Sequence, residues 1–346
     1  MSTSTSTSIS TAPSAGTATR LPRIALTLGD PAGIGPELAA KLLARPGSLD
    51  AAEVYVLADA SELEAAARIA GVQIPLADEP TPGHAVLLDD SSAPTEPIPA
   101  QQVSVEAGAR VMHQLTRALQ LANEGKIDAI VFTPLNKTSL KLAGMNHEDE
   151  LRWFAHELGH TGVTSELNVL EDLTTARVTS HIPISEVAQH IKAPAVTAAI
   201  ELLNETLLGS GLAAPRIGVC ALNPHGGENG NFGREEIDEI APGVEAAREL
   251  GIGVEGPFPS DTIFAAKRHD FDGIVTMYHD QGQIAMKLIG FDRGVTIQGG
   301  LPVVIATPAH GTAFDIVGKG IAGTGATEHA FDLAVSIAAR KLVAAV

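Results

Sequence analysis

One cysteine, Cys220, stands in 346 residues, so neither an internal disulfide framework nor a cysteine-built metal cage can form. That usage fits a reducing, cytoplasmic compartment, and Cys220, within an apolar run, reads as an inert buried thiol. Aromatic residues make up only 3% of a chain that is 45% hydrophobic, which leaves Ala, Val, Ile and Leu to build the core and favours helices packed on a parallel sheet. Basic residues are scarce as well. Lys and Arg number 23 against 41 Asp and Glu, a formal charge of -18, and such a surface repels nucleic-acid backbones and anionic lipid headgroups. No apolar run is long enough for a membrane span, so neither nucleic acid nor membrane is an expected partner. Residues 1–20 hold twelve Ser or Thr, one Arg and no acidic residue. They read as a disordered tail, with an organellar transit peptide as the alternative.

From Leu21 onward, β-branched runs alternate with helical periods, the pattern of βα units in an α/β fold with a mainly parallel sheet. Strands are predicted at Ile24 to Leu28, Val54 to Ala58, Ala129 to Phe132, Arg216 to Ala221, Ile274 to Met277 and Val303 to Ala306. Helices are predicted at Glu37 to Ala44, Ala60 to Ala70, Val105 to Asn123, Val196 to Leu208, Glu235 to Leu250 and Thr327 to Leu342. Asp78 to Gln102, rich in Pro, Asp and Ser, reads as irregular. Because the last helix is apolar and follows a strand, the C-terminus is expected to return to a first lobe, residues 21–134 plus 306–346, around a second lobe of residues 135–305.

Three strings place a histidine just after an apolar strand or run: Thr179-Ser180-His181-Ile182-Pro183, Asn223-Pro224-His225-Gly226-Gly227, and Tyr278-His279-Asp280-Gln281-Gly282. Ligands bind at the carboxyl ends of strands in open α/β sheets, so His181, His225 and His279 are candidates to share one divalent metal. Nitrogen ligands favour zinc, with magnesium, manganese, cobalt and nickel as alternatives. A separate string, His310-Gly311-Thr312-Ala313-Phe314-Asp315, follows a strand and is built of small residues, so its backbone can approach a flat ligand and donate N–H groups to phosphate. Gly29-Asp30-Pro31-Ala32-Gly33-Ile34-Gly35-Pro36-Glu37 lacks the dinucleotide G-x-G-x-x-G spacing and reads as a tight strand-to-helix turn, with Asp30 a candidate for the crevice.

Together with Thr133-Pro134-Leu135-Asn136-Lys137 and Pro259-Ser260-Asp261-Thr262-Ile263-Phe264, these strings resemble the 4-hydroxythreonine-4-phosphate dehydrogenase (PdxA) family of vitamin B6 synthesis, in order from about Ile24 to about Leu342. The string from His310 is also similar to the NAD loop of isopropylmalate dehydrogenases. The resemblance implies a two-lobed α/β/α fold of the isopropylmalate dehydrogenase type without a Rossmann motif. It implies NAD or NADP as oxidant, held by His310, Gly311, Thr312 and Asp315, and a homodimer whose metal site is shared across the interface. His181, His225 and His279 match the family's metal ligands one for one.

Departures from the family pattern fall on the substrate side. A family Gly-His-Thr-Glu string is replaced by Asp149-Glu150-Leu151-Arg152, which points to Glu150 and Leu151, and the family's Asn and Arg are replaced by Thr296 and Ile305, while its Lys is kept as Lys287. Losing an Arg fork and gaining a carboxylate should weaken binding of a phosphate dianion. The expected activity is therefore metal-assisted oxidation, with decarboxylation, of another small hydroxy acid, such as a sugar-acid derivative or a carboxylated diol. Lys287, Asp261 and Asp280 are candidate proton relays, and Asn136 and Lys137 candidate substrate contacts.

Two other classes compete. His156-Glu157-Leu158-Gly159-His160 fits the H-E-x-x-H pattern of zinc metallopeptidases, with Glu186 a candidate third ligand. A catalytically inactive relative kept as a binding protein is the third reading. Trp153 and Phe154, beside Glu150, read as core rather than as a cover over substrate.

Overall fold

Parallel βα units account for both flanks of the sheet, and an antiparallel patch joins them. A computed structural model describes residues 20–290 and 293–344. Its strands are β1 (Arg23–Thr27), β2 (Glu53–Leu57), β3 (Leu76–Ala77), β4 (Ala85–Leu87), β5 (Ala129–Phe132), β6 (Ser165–Val169), β7 (Thr174–Arg177), β8 (Ile217–Cys220), β9 (Val254–Phe258), β10 (Gly273–Thr276), β11 (Val295–Gly299) and β12 (Val304–Pro308). They form one sheet in the order β3-β4-β2-β1-β5-β12-β11-β6-β7-β10-β8-β9. β11 pairs antiparallel with both β12 and β6, and β6 pairs antiparallel with β7. Segments before Pro134 and after Val303 thus supply one half of the sheet, and β6 to β11 supply the other.

The principal helices are α1 (Gly35–Ala44), α2 (Ala60–Ala70), α3 (Val105–Asn123), α4 (Lys137–Leu142), α5 (Glu150–Glu157), α6 (Ala193–Ser210), α7 (Ala241–Glu249), α8 (His279–Gly290) and α9 (Gly325–Ala344). Local chemistry fixes several ends. Ser104 caps α3 by accepting from the Ala107 N–H at 3.0 Å, and Asp59 with Glu62 forms a capping box at the start of α2. The same two acids hold the buried Arg110, at 3.0 Å from Asp59 and 2.8 Å from Glu62, tying α2 to α3.

Of the predicted tail, residues 1–19 lie outside the described residues. Arg20 belongs to the fold: its Nη2 donates to Asp128 Oδ1 at 2.8 Å, beside a backbone bond from Arg23 to the same carboxylate. Trp153 and Phe154 are core, with the Phe154 ring edge-on to Phe132 at 5.8 Å. The segment predicted as irregular contains the short strand β4, which pairs with β2 and β3. None of the described helices is long and apolar enough to cross a membrane.

Candidate active site

Asp149 organises the polar end of the middle strands. As N-cap of α5 it accepts from the Arg152 N–H at 2.9 Å through Oδ1, while Oδ2 lies 3.1 Å from His181 Nδ1. Glu148 Oε1 stands 3.4 Å from the same ring nitrogen. Asp149 is buried although Glu148 and His181 are exposed, and one potential ligand atom from each of the three lies within 4.8 Å of the others.

That grouping differs from the predicted trio of imidazoles, which do not converge within this distance among the described residues of the single chain. The rings of His181 and His279 approach to 5.9 Å between centroids. His279 Nδ1 is turned to Asp280 Oδ1 at 2.7 Å. His225 lies on a turn in which five consecutive residues, His225 to Asn229, are left-handed, with φ between 46° and 76°, and its ring faces Phe232 at 6.4 Å. Three of those five are not glycine, so the turn carries strain of a kind that folded chains hold at functional loops.

The predicted substrate contacts scatter. Glu150 is buried, with its carboxylate 3.3 Å from Lys137 Nζ. Burial works against the Lys137 charge, but Glu150 and Glu166 outweigh it and raise the ammonium pKa above its ordinary value. Asn136 accepts from the Ser139 N–H at 3.0 Å and caps α4. Thr296 is half-buried on β11, opposite Asn168 and Thr307. One expectation is corrected: Ile305 is 0% exposed inside the Phe132–Phe154 core, where a ligand has no surface to touch, whereas Leu151, 2% exposed in the same core, also lines a cavity beside Asp149 and Arg152. Lys287 is exposed beside a shallow crevice with Asn168 and Met286, and Asp261 and Asp280 are exposed to solvent.

The loop holding His310, Gly311, Thr312 and Asp315 is braced by the first strand-to-helix turn. Ile34 N–H donates to the Thr312 carbonyl at 3.0 Å, and a Cβ added to Gly33 would stand 2.7 Å from Thr312 Cβ, so only glycine permits this approach. Glu37, 2% exposed, accepts from Lys41 at 2.7 Å and from the Ala322 N–H at 2.8 Å, clamping the far end of the loop. Ala313 is left-handed at φ 42°. Asp30 is not in the crevice: it is fully buried, accepts from the Ala32 N–H at 2.8 Å, and burial raises its pKa.

The peptidase pattern loses its geometry. α5 ends at Glu157, and Gly159 is left-handed at φ 62°, so His156 and His160 do not share a helical face as H-E-x-x-H requires. Glu186 lies exposed on a separate turn, Ile184–Glu186.

Against known proteins, residues 50–334 match the family described as pyridoxal phosphate biosynthetic protein PdxA. The chain belongs to the PdxA family. It is 51% identical over 335 residues to a protein of Pseudomonas aeruginosa whose provisional name is 4-hydroxythreonine-4-phosphate dehydrogenase 2, covering 93% of this chain and 98% of that one. It is 41% identical to the D-threonate 4-phosphate dehydrogenase of Cupriavidus necator, over 87% of this chain and 93% of the relative. Among solved structures it resembles 4-hydroxythreonine-4-phosphate dehydrogenase from Klebsiella pneumoniae with a TM-score of 0.78 and 36% identity, over 92% and 98% of the two chains. These PdxA relatives are named as dehydrogenases, which places the chain among oxidoreductases.

Sequence reading missed Glu148 and Asp149 as partners of His181 within this PdxA chain, and it missed the buried pair of Arg177 on β7 and Glu166 on β6. A signal for the pair existed: a lone Glu and a lone Arg each interrupt a strand-like run just before the His181 string. For Asp149 the signal was its place three residues before Arg152 at a helix start, the position of a capping carboxylate.

Proposed function

We propose that the chain is a divalent-metal-dependent, NAD(P)-dependent dehydrogenase that oxidises a small hydroxy acid at its CH–OH carbon and releases carbon dioxide from the keto acid formed. The observation that carries the reading is the joining of Asp149 and Glu148 to His181 beside the His279 ring. Imidazoles oriented by a carboxylate at the opposite ring nitrogen are donors suited to zinc or a similar transition metal, so His181 and His279 would hold the ion. His225 is the third ligand, and the failure of the three imidazoles to gather within 4.8 Å among the described residues of one chain supports a site completed in a homodimer. A divalent ion held there would supply Lewis acidity, making a substrate hydroxyl acidic enough to lose its proton near neutral pH.

The chain's own residues supply the rest. Asp149, bonded at the His181 Nδ1 edge, fixes the ring's orientation and leaves Nε2 for a ligand. The loop at His310, Gly311, Thr312 and Asp315 would hold the nicotinamide cofactor, and it is braced through Gly33 and Glu37. Lys287, Asp261 and Asp280, all exposed, are the proton relays to solvent. The two halves of the sheet act as the two lobes, with the site at their junction. The relative named for D-threonate 4-phosphate favours a sugar acid over 4-phosphohydroxythreonine; the aliphatic Ile305 does not separate the two, since both carry the phosphate.

Nicotinamide reduction by the full-length protein, supplied with zinc or manganese and offered D-threonate 4-phosphate or 4-phosphohydroxythreonine, tests this reading. The expected result is reduction that requires the metal and is faster with the threonate. No reduction of NAD or NADP with either acid or with related sugar acids overturns it.

A further inference from the structure

Arg177 ends β7 with a guanidinium that is almost entirely buried, 3% exposed at its side chain. Its Nη2 donates to Glu166 and its Nε to Ser180 Oγ at 2.9 Å, but Nη1 is buried without a partner. Buried donors without a partner are few in folded chains, and such a group is completed by a water, an ion or a ligand atom. Arg177 lines a cavity of about 180 Å³ whose polar wall also includes Glu148, Asp149 and Arg152, and whose opposite wall is the alanine-rich face of α6. The same arginine lines the crevice that contains His279. It therefore stands between the two parts of the candidate metal site.

We infer that Arg177 is the carboxylate-binding residue of the substrate pocket, receiving the acid group of a small hydroxy acid on its free Nη1. This deepens the dehydrogenase reading and rests on it. Size fits: a cavity of about 150 Å³ accommodates benzene, so about six or seven non-hydrogen atoms can enter. Charge discriminates between anions. Two arginines face three carboxylates, Glu148, Asp149 and Glu166, around the cavity, and Glu166 already neutralises part of the Arg177 charge. The single net negative charge left by these groups opposes a phosphate dianion about twice as strongly as a monoanionic carboxylate, so the carboxylate is the better partner for the remaining N–H, and the acids accept hydrogen bonds from the hydroxyls of the same ligand. The alanines of α6 supply a wall without competing polar groups.

The test is calorimetric titration of the full chain with D-glycerate, with inorganic phosphate as the second probe and NAD titrated in parallel. Arg177→Met should weaken D-glycerate binding about tenfold or more, the loss expected for one charged hydrogen bond, while NAD affinity stays unchanged. Because Arg177→Met leaves Glu166 unpaired, Arg177→Lys serves as a second variant: it keeps the ion pair, lacks the fork, and should weaken D-glycerate about threefold to tenfold. Unchanged D-glycerate affinity in either folded variant overturns the assignment, as does a wild-type chain that binds no D-glycerate. Inorganic phosphate held as tightly as D-glycerate in an Arg177-dependent way overturns the choice of carboxylate. Turnover is scored separately: metal-dependent nicotinamide reduction with normal D-glycerate binding in the variants sinks only the Arg177 assignment, and Arg177-dependent binding without reduction sinks only the dehydrogenase reading.

Discussion

Asp149 Oδ2 and His181 Nδ1 are 3.1 Å apart, and the other oxygen of that carboxylate caps helix α5. The two duties separate by substitution, since Asn caps a helix about as well as Asp but carries no charge. Asp149→Asn should keep the melting temperature within a few degrees and lower affinity for zinc about 10–100-fold, read by competition with a chromophoric chelator. Asp149→Ala should lose the cap as well, at about 1 kcal/mol. Equal zinc affinity in wild type and Asp149→Asn would show that the carboxylate does not orient the ring.

The brace under the loop proposed to hold the dinucleotide is tested at Gly33. A methyl group there meets Thr312 Cβ at 2.7 Å, and overpacking of this kind costs about 1–3 kcal/mol. Gly33→Ala should therefore raise the Kd for NAD about tenfold, measured by fluorescence titration, with zinc binding unaffected.

Replacing His160 by Ala should leave zinc stoichiometry unchanged after dialysis, because the helix that would aim it stops at Glu157. His181→Ala should abolish tight binding. Zinc lost from the His160 variant and kept by the His181 variant would reverse the placement of the metal.

Asp128 links the N-terminal strand to stability. Burial pushes its pKa up, but hydrogen bonds from Arg20 and Arg23 outweigh that and hold it well below the usual carboxylate range. A depressed folded pKa means that stability is full above the unfolded value, near 4, and is lost as pH falls through the folded value. Asp128→Asn should cost about 1–3 kcal/mol near neutrality, and the gap from wild type should narrow progressively in acid unfolding curves below about pH 4.

Burial pushes the Cys220 thiol up to about 12. In the folded protein it should resist iodoacetamide at about pH 8 and react on unfolding in guanidinium, since the thiolate is the nucleophile. Mass spectrometry of native and unfolded samples reads the difference.

Much of the scaffold was legible because its signals are local. Ala60–Ala70 and Val105–Asn123 are predicted with their observed ends, where an aspartate and a serine cap lie next to apolar periods. The strands β6, β7, β9 and β11 were not: Glu166, Arg177, Glu255 and Gln298 break their apolar patterns, and β11, β6 and β7 form the antiparallel junction of the two sheet halves while β9 is the sheet's edge. The predicted ligands His181 and His279 do meet, but Asp149 and Glu148 reach His181 by a fold-dependent approach from 32 and 33 residues away. Ile305 misled because a missing arginine marks a changed site, whereas the aliphatic replacement simply joins the core.

The antiparallel strands at the centre of the sheet limit how this molecule can open. β11 is hydrogen-bonded to β12 on one side and β6 on the other, so an unbroken ladder runs from one flank to the other. Rigid separation of the halves about a hinge would tear that ladder. Access to the interior must therefore come from torsion of the sheet and from movement of loops and side chains around its rim.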